Sequence, residues 1–187
     1  MTEEMLLEAV PPPSLRRRNL ILFSLVAFAW VVFDRLTKDY FDGAYAVGEV
    51  VTDPIIGLFR FSLVHNTGGA WGIFGESTLF LAVTSMVVCL FILVYFFMLS
   101  SKANIGEVLG LALVLAGGLG NGIDRFAFGY VVDFIEFTFI QFPVFNIADI
   151  GITCGFPIII ICMLFTWARE RKKHRQAAGA EEDREAS

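Results

Sequence analysis

The chain has 187 residues, of which 56% are hydrophobic, and its mean hydropathy is +0.68. This composition excludes an ordinary soluble domain and is typical of an integral membrane protein. The formal net charge of -5, with much of the acid near the two ends of the chain, predicts no basic face for nucleic acid. Three cysteines in apolar stretches, without a CxxC pair, and two histidines predict no metal site, cofactor or disulfide framework.

Four stretches are long and apolar enough to cross a bilayer, whose core of about 30 Å takes roughly 20 helical residues. They cover about residues 20–33 (with a further turn), 79–99, 105–123 and 150–167. The first follows three arginines but lacks a small-x-small cleavage site, so we interpret it as a retained span. The sequence predicts an all-α membrane protein of four transmembrane helices.

The domain organisation follows from these spans. Residues 15–170 form one predicted membrane domain, residues 1–14 a disordered N-terminal tail, and residues 171–187 a charged, solvated tail in the cytoplasm. Ten Lys and Arg residues lie on the side of both termini and four on the other side. Because Lys and Arg favour the cytoplasmic side, we expect both termini to be cytoplasmic.

Two non-spanning segments lie on the extracytoplasmic side in this interpretation. Residues 40–78 contain helix-breaking Gly and Pro and then a strand-like run at 58–64, which predicts a small β-sheet. Residues 126–145 are rich in Phe and predict a short strand or loop that dips into the interface. Residues 40–78 could close over a substrate as a lid does.

The same orientation brings many polar residues to the extracytoplasmic ends of the spans. Polar side chains at such places usually face a partner or a water-filled site, which predicts a site at this face. The residues are Asp34, Lys38, His65, Asn66, Asn121, Asp124, Arg125, Asp133, Asn146 and Asp149.

Two of these acids suggest a catalytic pair. Asp133 and Asp149 are 16 residues apart, or about 24 Å on a continuous helix, but Gly129 and Pro143 argue against such a helix. If the third and fourth spans are antiparallel neighbours, the two carboxylates can meet and share one proton. The charged one then takes a proton from water and the neutral one donates a proton. Spacing alone leaves an ion pathway or a structural pair open.

Four sequence segments carry a resemblance to a known family. They are DRLTK (34–38), NTGGAWG (66–72), GGLGNGIDR (117–125) with its continuation GYVVDF (129–134), and FNIAD (145–149). In order, and in placement relative to four spans, they resemble the lipoprotein signal peptidases (type II signal peptidases). The resemblance covers about residues 15–170.

The resemblance implies an aspartic endopeptidase of the bacterial cytoplasmic (inner) membrane, with Asp133 and Asp149 as its catalytic pair. It implies cleavage of prolipoproteins before a cysteine that carries diacylglycerol, contact with membrane lipid, and inhibition by globomycin-type cyclic peptides. The family usually has Gln at Arg35, Ala at Gly69 and Ser-Ala at 150–151, and the last difference changes the surroundings of Asp149.

The supporting residues divide into two groups. Asp34 and Lys38 are one helical turn apart, which predicts a structural ion pair, and Asp124 supports the local structure. The glycines of 117–122 favour close helix packing. Asn121 and Asn146 offer amide groups either to a peptide or to buried loop carbonyls. The predicted substrate-binding residues are Asn66, Gly68, Asn121, Arg125 and Asn146.

Other classes remain open at this point. A presenilin-type protease lacks its Gly-x-Gly-Asp motif here, and Lys38 has no nearby serine for a Ser-Lys peptidase. A transporter or channel predicts acids throughout the membrane depth, whereas most lie at one face, although Glu107 lies near the other. A non-catalytic assembly factor is also compatible with the sequence.

Overall fold

The computed structural model describes residues 13–69 and 77–185, and it has the predicted membrane architecture. Within these residues, four helices are long and apolar enough to cross a membrane, and two strands form a small antiparallel sheet. The predicted fold class is therefore confirmed. In chain order the elements are α1 (Pro13–Ala44), β1 (Phe59–Asn66), α2 (Thr78–Leu99), α3 (Ile105–Phe128), β2 (Val131–Phe137) and α4 (Ile147–Glu185).

The helices extend beyond the apolar stretches that predict them. Helix α3 starts at a capping box, in which Asn104 and Glu107 satisfy each other's backbone N–H groups, and ends at Gly129 with φ of 78°. Helix α4 continues through Glu185, into the segment that the sequence predicts to be a charged, solvated tail. The Ala, Glu, Lys, Arg and Gln residues of this segment favour helix intrinsically. Residues 1–12, most of the predicted N-terminal tail, lie outside the described residues.

Helix α3 is the central helix of the bundle. About two thirds of its most apolar window is buried, compared with about one sixth for each of the other three spans. Added Cβ atoms at Gly110 and Gly117 would meet the backbone oxygens of Gly155 and Ala148, at 2.9 and 2.3 Å. Residue numbers that increase along α3 therefore lie opposite residue numbers that decrease along α4. The two helices are close antiparallel neighbours, which is the arrangement that would allow Asp133 and Asp149 to approach each other.

Gly155 gives a direct test of this close approach. An alanine Cβ there would lie 2.7 Å from the carbonyl oxygen of Gly110, so we expect Gly155→Ala to destabilise the bundle by about 1–3 kcal/mol. Gly43→Ala is the matched control, because Gly43 is also helical and has no atom within 4 Å of the added Cβ. Denaturant unfolding in mixed micelles should show Gly155→Ala clearly below Gly43→Ala in stability. Equal stabilities of the two variants would contradict the close packing.

The sheet lies beyond one end of the helices. Strands β1 and β2 pair antiparallel, with Val64 opposite Asp133 and Asn66 opposite Val131, and an irregularity falls between Phe61 and Val64. Leu63, Val132 and Phe134 are buried and pack with Phe41 near the end of α1. This second small core fixes the sheet to the bundle. We call this end of the molecule the sheet end.

Candidate active site

The polar residues predicted to share one face form a single hydrogen-bonded network at the sheet end. It joins α1, β1, α3, β2 and the start of α4, although these segments are far apart in sequence. Most of its members are almost completely buried, so their hydrogen bonds and charges must be matched internally. The arrangement can be followed outward from the two aspartates.

Asp149 is held at the first turn of α4 by a reciprocal cap. Its backbone N–H donates to Asn146 Oδ1 at 3.0 Å, and its Oδ2 accepts from the backbone N–H of Asn146 at 3.1 Å. This is a capping box with Asn in the N-cap position. The carboxylate of Asp149 therefore lies at the positive end of a helix dipole, which favours negative charge.

Asp133 lies in β2 and receives two amide donors. Asn66 Nδ2, from the paired strand β1, donates to Oδ2 at 2.9 Å, and Asn146 Nδ2 donates to Oδ1 at 2.7 Å. Burial and the nearby Asp149 raise the pKa of Asp133 to about 7, against the opposing effects of Asn66, Lys38 and Asn146. Asn146 contacts both aspartates, so the fold brings these two residues to the same site.

A buried lysine orients the amide of Asn121. Lys38 Nζ can only donate, and it lies 3.0 Å from Asn121 Oδ1, so the amide nitrogen of Asn121 faces the other way. That nitrogen donates to Asp149 Oδ1 at 2.7 Å. The oxygen of Asn121 also accepts from Asn146 Nδ2 at 3.0 Å. Three of the four hydrogen-bonding positions of the Asn121 amide are therefore used inside the protein.

Lys38 is also the centre of a buried charge cluster. Its ammonium lies 2.8 Å from Asp34 Oδ2 and 3.0 Å from Asp124 Oδ2. Asp124 also pairs with Arg35 at 2.9 Å, and Asp34 accepts the backbone N–H of Ala148 at 2.8 Å. The predicted Asp34–Lys38 pair is thus present, and Asp124 pairs with Lys38 and Arg35. Through Ala148, the cluster holds the start of α4 in place.

Arg125 extends from α3 towards the aspartates and the loop after β1. Its guanidinium donates to the carbonyl of Gly68 at 3.2 Å and of Asn121 at 3.3 Å, while Gly68 N–H donates to Asn66 Oδ1 at 3.0 Å. Within the described part of the chain, its Nε is the one buried side-chain polar atom without a hydrogen-bond partner. Residues 70–72 of the Asn66 motif lie outside the described residues.

Sequence reasoning missed the contribution of Trp30 to the site. Trp30 Nε1 donates to the carbonyl of Ile147 at 3.0 Å and so supports the first turn of α4. A Cβ at Gly151 would lie 2.5 Å from the same Trp30 nitrogen, so a glycine where the family usually has alanine makes room for the indole. Arg35, where the family usually has Gln, joins the charge cluster through its ion pair with Asp124. The pairing of a Trp in the first span with a Gly after Asp149 is the signal that could have indicated this contact.

Three cavities in the described structure reach the aspartates. The sheet cleft, about 950 Å³, extends from Asp133 and Gly69 along the sheet to Arg60 and Glu136. The lateral cavity, about 380 Å³, contains both aspartates and lies against the exposed face of α4 at Thr153 and Cys154. The interhelical cavity, about 300 Å³, reaches Asp149 from between α2, α3 and α4. The buried pair is therefore accessible both from within the membrane and from the sheet end.

Fold and site together define a multi-pass membrane protein with two carboxylates that are joined through Asn146 at one end of a four-helix bundle. The profile of the family described as "Signal peptidase (SPase) II" matches residues 26–165. The chain belongs to this family of aspartic peptidases and is a signal peptidase II. The transporter and assembly-factor alternatives are thereby set aside.

Individual relatives agree with the family match. The lipoprotein signal peptidase of Thermosynechococcus vestitus is 41% identical over 147 residues, which cover 78% of this chain and 90% of the relative. The one from Gloeobacter violaceus is 38% identical over 83% of this chain and 89% of its own length. Two solved structures of bacterial membrane enzymes have TM-scores of 0.72 and 0.68, at 33% and 34% identity. They cover 79% and 76% of this chain, and 90% and 92% of their own chains.

Proposed function

We propose that this chain cleaves diacylglyceryl-modified bacterial prolipoproteins immediately before the lipidated cysteine, with Asp133 and Asp149 as the catalytic pair. The observation that carries this proposal is the shared contact with Asn146, whose side chain binds Asp133 at 2.7 Å and whose backbone binds Asp149 at 3.1 Å. Two carboxylates held by one residue cannot both ionise cheaply, and a shared proton is the low-energy state. Family membership supports a signal peptide as substrate.

The roles of the two carboxylates follow from their surroundings. Asp149, at the amino end of α4 and in a capping box, is the member better suited to carry the negative charge and act as base. Burial raises the pKa of Asp133 to about 7, so this carboxyl is able to hold the proton near neutral pH. This is the pairing of an acid and a base that hydrolysis at neutral pH needs.

In the proposed reaction, Asp149 takes one proton from a water molecule as its oxygen attacks the scissile carbonyl carbon. Asp133 gives its proton to the carbonyl oxygen, which forms a neutral diol. Collapse of the diol breaks the C–N bond, the amine of the cysteine receives the proton from Asp149, and Asp133 recovers a proton from a diol hydroxyl. The products are a carboxylic acid and an amine, and both aspartates return to their starting states without a covalent intermediate.

The surrounding residues have two different roles: some orient the aspartates and others are placed to contact the substrate. Asn121 and Asn146 use their amides to orient the aspartates, so we assign them a positioning role. Arg125, Asn66 and Gly68 border the site, and the buried Nε of Arg125 is a donor suited to a substrate carbonyl. A cyclic peptide of the globomycin type, which resembles the substrate backbone, would compete for these groups.

The orientation in the membrane is part of the proposal. Of the Lys and Arg residues, ten lie on the side of the termini and four on the side of the sheet. By the positive-inside rule both termini are cytoplasmic and the sheet end is extracytoplasmic. A lipid-anchored substrate would then reach the aspartates laterally, through the cavities that open to the membrane.

The proposed function is tested with purified protein and two forms of one prolipoprotein, which differ only in the diacylglyceryl group. We expect cleavage of the lipidated form at the bond before the cysteine, with the products identified by mass spectrometry, and little cleavage of the unmodified form. Cleavage at another bond, or equal rates for both forms, would contradict the proposed specificity.

A further inference from the structure

We infer that the sheet cleft binds the polypeptide that follows the cleavage site, and that the Arg60–Glu136 pair in its wall responds to charge on that polypeptide. This inference rests on the proposed function and adds a subsite to it. The cleft has Asp133 and Asn66 at one end and Arg60 and Glu136 farther along the same sheet. It is therefore continuous with the reacting bond.

The chemistry of the substrate indicates which part of it each of the three cavities would bind. At the scissile bond a lipidated prolipoprotein has three arms: the apolar signal peptide, the diacylglyceryl group and the downstream polypeptide. The first two arms are soluble in the bilayer and the third is not. The interhelical cavity lies among residues of the spans, such as Val88 and Phe156, and the lateral cavity extends from the segment after β2 to the span residue Cys154. The sheet cleft lies beyond the spans, so it is the cavity suited to the polar third arm.

The end of the sheet cleft away from Asp133 is held by contacts outside the catalytic network. Residues 138–145 return along β2, where Phe145 pairs with Ile135 through backbone bonds of 2.8 and 2.9 Å. The hydroxyl of Thr138 donates to the carbonyl of Gly57 at 2.9 Å. Substitutions at the far end of the cleft should therefore leave the aspartates undisturbed, which makes the inference separable from catalysis.

Arg60 and Glu136 form the charged part of the wall. The guanidinium donates two bonds to the carboxylate, at 2.7 and 2.9 Å, and Ser62 donates a third at 2.8 Å. The bonds from Arg60 lower the pKa of Glu136, so this carboxylate is ionised at neutral pH. The wild-type wall presents a neutralised pair, and loss of either partner leaves one uncompensated charge.

The distance along β2 places this pair in register with particular substrate residues. Asp133 and Glu136 are three residues apart, which corresponds to about 10 Å of extended chain. An extended substrate that begins at the cut beside Asp133 would bring its third and fourth residues to the Arg60–Glu136 pair. These positions are where substrate charge should be detected.

The experiment compares the cleavage of lipidated precursors with Asp, Lys or Gln at the third and fourth residues after the cut. Glu136→Gln should raise the ratio of kcat/KM for the Asp substrate over the Lys substrate, and Arg60→Gln should lower it. We expect each change to be about twofold to fivefold, the range for partly exposed charge pairs. Cleavage of the Gln substrate reports any general change in activity, so the Asp and Lys values are each divided by the Gln value for the same variant.

Glu49→Gln is the matched control. It removes a carboxylate from the segment beside β1, and Glu49 itself does not line the described cleft. Its selectivity should equal that of wild type. Unchanged selectivity in both cleft variants, or the same change in Glu49→Gln, would overturn the assignment of the cleft while leaving the proposed function intact. Failure of the wild-type protein to cut any of the three substrates would contradict the proposed function and, with it, this inference.

Discussion

Replacement of either aspartate by asparagine should nearly abolish cleavage of a lipidated prolipoprotein. Asparagine has almost the same shape, so Asp133→Asn and Asp149→Asn remove the ability to hold or accept a proton with little change in volume. Loss of general acid–base catalysis alone lowers rates by about 10²–10⁴-fold, and we expect kcat to fall by at least this amount. Single-turnover assays in micelles, with product quantified by mass spectrometry, measure the effect.

A matched control separates catalysis from folding. Glu170 is exposed on the same helix as Asp149, beyond its apolar stretch, and Glu170→Gln should cleave at the wild-type rate. All three variants should have wild-type helix content by circular dichroism. Wild-type turnover in either aspartate variant would rule out its proposed role.

Removal of the buried ammonium of Lys38 should cause a large loss of stability. Lys38 is fully buried, and both carboxylates that it contacts, Asp34 and Asp124, are 1% exposed. Removing one partner from a buried ion pair costs about 3–5 kcal/mol, because it leaves charge buried without compensation. We expect Lys38→Met to be destabilised by about this amount in denaturant unfolding in mixed micelles.

Two further variants make the Lys38 prediction specific. Lys102→Met removes a charge from the loop between α2 and α3 and should leave stability nearly unchanged. Adding Asp34→Asn and Asp124→Asn to Lys38→Met removes the uncompensated carboxylates, so it should recover part of the lost stability. A Lys38→Met protein as stable as the wild type would show that the cluster is not buried as described.

The spans and the strand were predictable because each depends on local composition. The uncharged run at 79–99 and the strand-like run at 58–64 correspond to α2 and β1 nearly residue for residue. The ends of the helices were less predictable, because they depend on caps rather than on hydropathy. Gly129 ends α3 five residues beyond the apolar stretch, and Gly43 lies inside α1 although glycine weakens helices.

The site was predictable in its membership and less so in its contacts. Asp133, Asp149 and their neighbours could be named from the motifs, since the motifs fall at the same ends of the spans. The orientation of an Asn side-chain amide could not be predicted from the sequence, because it depends on which donor lies nearby in three dimensions. Asn121 illustrates this point: the ammonium of Lys38, 83 positions away, determines that its nitrogen faces Asp149.

The central claim is that Asp133 and Asp149 act as one unit, and a double-mutant cycle on cleavage tests it most directly. Residues that act as a unit are strongly non-additive in their effects on rate. The Asp133→Asn, Asp149→Asn double variant should therefore cleave lipidated prolipoprotein at about the rate of the slower single variant. A double variant whose loss equals the product of the two single losses would mean that the two carboxylates act independently, and it would contradict the account.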